Sequence, residues 1–151
     1  MEKILFCEAK VSDIPDLVNL LSVLFTIEVD FKPDFSKQKR GLELLVRNNT
    51  TANIQVAKNA SGRVIGMVTS QLVISTAEGA ASAWIEDMVV DVKYRGQGIG
   101  KQLLQNTLDW AKHNGATRAQ LLVDIENTKA LGYYDHLKWE STQLQARRLF
   151  L

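Results

Sequence analysis

The chain is poor in cysteine. Cys7 is the only one, which excludes an intrachain disulfide framework and a multi-cysteine zinc site. It lies in the apolar run ILFC and reads as a small buried hydrophobe rather than a nucleophile. A basic excess is also missing, since 18 Lys and Arg stand against 17 Asp and Glu. Nucleic-acid binders normally carry such an excess or a basic stripe, so no nucleic-acid partner is expected. No apolar run approaches the roughly 20 residues of a membrane span, and no membrane partner is expected either. The opening MEKILFCEAK is too short and too charged for a signal peptide. A soluble, cytoplasmic protein is the expectation. Linkers, repeats and low-complexity segments are absent, so residues 1–151 should form one domain.

What is present is a regular succession of apolar patterns. Ile4 to Glu8 predicts a short strand. Ser12 then suits a helix N-cap, with Asp13 and Pro15 in the first turn and Ile14, Leu17, Val18, Leu21 and Leu24 on the apolar face. Thr26 to Asp34 is irregular and carries Glu28, Asp30 and Asp34, and Phe35 to Arg47 predicts a second helix. Strands are expected over Ile54 to Lys58 and Val64 to Ile74, where Gly66 marks a bulge or a close approach. Ala77 to Ser82 reads as a loop of small residues. Trp84 to Asp91 reads as a central strand, apolar on both faces at its end. A helix over Ile99 to Asn114 is closed by Gly115, and a strand over Ala119 to Ile125 follows. A short helix over Thr128 to Leu137 and a final strand over Trp139 to Phe150 complete the series. The order β-α-α-β-β-β-α-β-α-β implies an α/β fold, a mixed sheet covered by helices.

The stretch YRGQGIGKQLL joins the central strand to the long helix. The first N–H groups of a helix have no intrahelical partners, and the helix dipole adds partial positive charge there. Glycines let backbone approach an anion without a Cβ in the way. A phosphate site is therefore the functional reading. The Walker A spacing fails, because Gly100-Lys101 is followed by Gln102 and Arg95 stands where the first glycine should be. The dinucleotide fingerprint fails as well, because Leu103 occupies the third glycine position.

The pattern that fits is R-x-x-G-x-G, at Arg95, Gly98 and Gly100. It resembles the pyrophosphate loop of the GNAT superfamily of acetyl-CoA-dependent N-acetyltransferases. A second match is ENTKALGYYDHLKW, where Asn127, Ala130 and Tyr134 fall on the family's N-x-x-A-x-x-x-Y segment near the cofactor thiol. One departure is Lys138-Trp139, where the family often has Gly-Phe; lysine takes up φ > 0 less readily than glycine. Locally, WIEDMVVDVKYRGQGIG is similar to spermidine/spermine N-acetyltransferases, which also carry a Glu-Asp pair before the apolar triplet.

The resemblance implies a mixed, mostly antiparallel sheet flanked by helices, acetyl-CoA as the cofactor and transfer of its acetyl group to a primary amine, on a small molecule or a protein, by direct attack. It implies that Met88, Val89 and Val90 offer backbone groups to the pantetheine arm. Arg95, Gly96, Gln97, Gly98, Ile99, Gly100 and Lys101 would hold the diphosphate, and Asn127 would contact the arm while also serving as a helix N-cap. Tyr134 is the candidate general acid for the departing thiolate; otherwise it is a core aromatic like Tyr133. Glu86 is the candidate base. It stands two residues before Met88, so the two side chains should share a face of the strand, with Asp87 turned the other way as a substrate contact. Glu28, in the acidic segment, is the rival base and a candidate acceptor contact. His113 suits a helix C-terminus and His136 the surface, and no pairing suggests a metal. Many members of the family are dimers, and a C-terminal strand over Trp139 to Phe150 could support a homodimer. The alternative from another class is a non-catalytic acyl-CoA sensor or interaction module on the same fold.

Overall fold

The computed structural model describes residues 1–151. Its strands are β1 (Leu5–Glu8), β2 (Ala52–Lys58), β3 (Val64–Ser75), β4 (Ala80–Val90) and β5 (Ala116–Leu121). Its helices are α1 (Ile14–Ile27), α2 (Phe35–Arg47), α3 (Ile99–His113) and α4 (Thr128–His136). The five strands form one sheet in the order β1-β2-β3-β4-β5. Neighbours from β1 to β4 are antiparallel, and β4 and β5 are parallel. This is the mixed, mostly antiparallel sheet that was expected. No helix is long and apolar enough to cross a membrane.

Helices cover both faces. On one, Leu17, Leu20 and Leu21 of α1 and Leu42 of α2 pack with Val56, Met67 and Val89. On the other, Ile99, Leu103, Leu104 and Ala111 of α3 pack with Ile65, Val68, Ala83 and Ile85. Each fully buried aliphatic side chain contributes about 1.5–3 kcal/mol, so these two layers dominate the stabilisation. Gly66 belongs to both expectations made for it. The ladder shifts register opposite it, between Ala57 and Lys58. A Cβ there would also stand 3.0 Å from Leu103 Cδ1, so the glycine sets how closely α3 approaches β3.

Several boundaries differ from expectation, each for a physical reason. Asp13, not Ser12, organises the start of α1. Its carboxylate accepts from Lys10 N at 2.8 Å and pairs with Lys58 Nζ at 2.8 Å, tying the helix entry to β2. The small residues Ala80 to Ala83 belong to β4, and the turn before them ends at Gly79, whose φ is 64°. Small side chains carry little strand propensity, but their backbone pairs with both β3 and β5. Strand β5 covers Ala116–Leu121 rather than reaching Ile125, because its partner β4 pairs with it only as far as Ile85.

The final strand predicted over Trp139 to Phe150 does not form. Polar residues dominate that segment, and Leu144, Leu149 and Phe150 are each more than 80% exposed. A strand needs a partner edge, and this segment has none. The segment instead runs back to the α1–α2 connection. There the Arg148 guanidinium meets Asp30 at 3.7 Å and lies over the Phe31 ring at 5.9 Å.

Candidate active site

Strand β4 changes character halfway along. Its pairing with β5 stops at Ile85–Leu121, so from Glu86 to Val90 it has no neighbour on that side. Its pairing with β3 continues but slips: Thr69 opposes Glu86 and Met67 opposes Val89, leaving Asp87 and Met88 opposite Val68 alone. This is a β-bulge. Asp87 sits in it with φ of 55°, a left-handed conformation that Asp tolerates better than most residues.

The bulge overturns the expected alternation. Ile85 and Met88 both pack with α3 and α4, whereas Val89 packs with α1 and α2. Glu86 and Asp87 both belong to the α1 side. Glu86 follows the α3-facing Ile85 and accepts a hydrogen bond from Trp84 Nε1, while Asp87 Oδ2 accepts from Thr69 Oγ1 at 3.2 Å. Glu86 and Met88 therefore do not share a face, and Asp87 is not turned away from Glu86. One inserted residue resets a period of two.

Glu28, the C-cap of α1, joins these carboxylates. Burial raises its pKa first, and the negative charges of Asp124, Glu86 and Asp30 raise it further. Asp87 is pushed up to about 7, by burial first and then by Glu86, against a lowering hydrogen bond from Thr69. Asp124 lies just beyond β5, in a segment whose sequence gave no signal that it would turn toward Glu28. Trp84 and Thr69 were equally unannounced.

The raised Asp87 has a consequence for stability. The folded state holds this proton more tightly than the unfolded chain, where Asp titrates near about 3.9. Its contribution is fully present below that value and is lost as pH rises through about 7. Asp87→Asn should therefore match wild type at about pH 4 and melt higher by roughly 10 °C at about pH 8. Parallel melting curves of the two proteins across that range would remove this carboxyl from the account.

Tyr134 stands on the opposite face. Its ring packs edge-on against Trp139 and Tyr133, with centroids 5.9 and 5.4 Å away. Its hydroxyl is 3.9 Å from Met88 Sδ, a weak contact. Burial, and then Tyr133, push its pKa up to about 12, so the phenol keeps its proton throughout the neutral range. Asn127 caps α4, its Oδ1 accepting from Ala130 N at 3.0 Å. Lys138 takes φ of 69° where the family often has glycine. Lys138 N donates to Asp135 O and Trp139 N to Tyr134 O, the paired bonds of a Schellman motif. The turn is kept, at a backbone cost of about 1–2 kcal/mol for a residue with a Cβ.

The glycine loop follows β4 through a short 3-10 turn, Val92–Tyr94. None of the backbone N–H groups from Gly96 to Lys101 donates to a protein acceptor. Gly96 and Gly98 have φ of 75° and 79°, which turns these groups outward at little cost. Gly100 has a different reason. A Cβ there would be 3.0 Å from Met88 Cε and 3.6 Å from Tyr133 Oη. Arg95 Nε donates to Val90 O at 2.8 Å, so its guanidinium is anchored at the strand end beside the loop. These donors and this cradle suit an anionic group followed by a slender chain entering the gap beside β4.

The chain is similar to known acetyltransferases in sequence and in fold. The model of the Acetyltransferase (GNAT) family matches residues 14–139. The chain is 32% identical over 85 residues to an uncharacterized N-acetyltransferase of Methanocaldococcus jannaschii, covering 56% of this chain and 38% of that protein. It is 32% identical over 90 residues to the glucosamine 6-phosphate N-acetyltransferase of Trypanosoma brucei brucei, covering 58% of each. The chain thus spans little more than half the length of these relatives, or less. Among solved structures, the glucosamine-6-phosphate N-acetyltransferase of Arabidopsis thaliana superposes with a TM-score of 0.78 at 21% identity, over 99% of both chains.

Proposed function

Because the chain belongs to the GNAT acetyltransferase family, we propose that it transfers an acetyl group from acetyl-coenzyme A to a cationic primary amine by direct attack. The thioester supplies an activated acetyl group. The loop N–H groups of Gly96 to Lys101, with Arg95 and the side chains of Gln97 and Lys101 nearby, would hold the diphosphate. The unpaired edge of β4 at Met88, Val89 and Val90 would hold the pantetheine arm, with Asn127 beyond it.

The observation that carries this reading is the division of the site across the sheet. On the α1 side, Glu28, Glu86 and Asp87 form an acidic wall that favours an approaching ammonium, with Asp124 nearby. A primary ammonium has a pKa near about 10.4 and must lose a proton before it attacks. Glu86, the exposed member, takes that proton directly or through water. On the α3 side Tyr134 holds a proton on Oη for the departing sulfur. The gap beyond Ile85 joins the two faces. No acyl-enzyme is needed, and Cys7 lies on β1, away from both groups.

The same acidic wall bears on the acceptor. The relatives named for glucosamine 6-phosphate act on an amine that also carries a phosphate, which carboxylates would repel. Free thiol released from acetyl-CoA should therefore appear faster with spermidine than with glucosamine 6-phosphate, at equal concentration and low salt. Glu86→Gln should lose rate mainly near neutral pH, with partial recovery at alkaline pH, where the amine arrives neutral. Faster turnover of glucosamine 6-phosphate would refute the cationic acceptor. No thiol release with any amine would favour an acyl-CoA sensor on the same fold.

A further inference from the structure

One polar group beside the cofactor loop has no part in the scheme above. Tyr133 Oη is buried and makes no hydrogen bond within the protein. A buried hydroxyl without a partner destabilises a fold, and the burial raises its pKa. Its neighbour Tyr134 turns toward Met88 Sδ and Trp139 instead. Tyr133 Oη points to the start of α3. It lies 3.6 Å from where a Cβ of Gly100 would be, a point also approached by Met88 Cε at 3.0 Å and Val90 Cγ2 at 3.8 Å. Gly100 is in the first turn of α3, among the N–H groups that have no protein acceptor. Met88 is unbranched with three rotatable bonds, so it can yield where the stiff Val90 cannot.

We propose that Tyr133 is a cofactor-positioning residue, its hydroxyl donating a hydrogen bond to an acceptor oxygen of coenzyme A where the pantetheine arm meets the diphosphate. The inference rests on the acetyl-CoA reading. A phenol suits this place because it adds a directional donor without adding charge. The residue so far read as a packing aromatic then fixes how the arm enters the gap beside β4, one residue before the group that serves the sulfur.

Tyr133→Phe tests this with signs that a packing role would not produce. Deleting an unpartnered hydroxyl should leave the ligand-free protein at least as stable as wild type. Affinity for coenzyme A and for 4′-phosphopantetheine, measured by calorimetry, should fall by about 5- to 20-fold. Affinity for 3′,5′-adenosine diphosphate, which lacks the arm, should hold. A lower ligand-free melting temperature would mean that the hydroxyl serves the fold, and the assignment falls. Equal loss on the adenosine fragment overturns it too. If wild type binds coenzyme A and the variant binds it equally well, this assignment alone is wrong; if wild type ignores coenzyme A, the reading beneath it is wrong as well.

Discussion

Tyr134→Phe should lower kcat by about 100-fold while leaving acetyl-CoA affinity within a few-fold of wild type. The substitution keeps the ring, and the ring makes the contacts: Trp139 and Tyr133 pack on it edge-on. What it removes is the proton on Oη, and a positioned general acid contributes about 10²–10⁴-fold. The hydroxyl's contact with Met88 Sδ is too weak to matter for stability. The phenol's pKa of about 12 adds a pH signature. Wild type should show no loss of kcat from this group up to about pH 10, because the acid form persists there. Pre-steady-state mixing can establish that chemistry limits the rate. If it does and kcat is unchanged, Tyr134 is a core aromatic and the proton comes from elsewhere; Tyr133→Phe, alone and combined, would then test the adjacent hydroxyl.

Gly98→Asp should weaken coenzyme A binding by about 100-fold or more, with Gly98→Asn as its partner measurement. Gly98 is the N-cap of α3 with φ of 79° and ψ of 5°, and a Cβ there meets nothing within 4 Å. Any side chain therefore bears only the backbone cost, about 1–2 kcal/mol and smallest for Asn and Asp. The two variants share that cost and nearly the same shape. They differ in a charge placed among the N–H groups of Gly96 to Lys101. Coenzyme A stabilises the folded protein by RT ln(1 + [L]/Kd), so the shift in melting temperature reads affinity directly. Asn should keep most of the wild-type shift, and Asp should lose all but a small part, a loss of about 100-fold or more in affinity if the diphosphate lies at the loop. Equal shifts for the two would mean that no anion sits at Gly98.

Where local chemistry decides structure, the sequence could be read closely. Helix α2 runs over Phe35–Arg47 as predicted, and Asp34 caps it by accepting from Lys37 N. Helix α3 follows the same logic between Gly98 and Gly115. The loop glycines were legible as the turn that opens α3, although Gly100 proves to be needed for its approach to Met88 and Tyr133. What could not be read depends on partners distant in sequence. The bulge at Asp87 arises from a register slip against β3, and its only local trace is Asp's tolerance of positive φ. The convergence of Glu28 and Asp124 on the Glu86-Asp87 pair joins three separate parts of the chain. The segment after Trp139 finds no edge in this sheet.

The extra residue in β4 makes length a guarded property of this strand. Asn or Gly at position 87 can adopt the left-handed backbone and keep every following residue on its present side. Deleting the position would act like a frameshift in space. Met88, Val89 and Val90 would each swap faces, turning Met88 away from Gly100 and Val89 out of its packing beneath α1. Homologous chains should therefore hold Asp, Asn or Gly at this point and admit no gap there, an alignment signature visible without any assay.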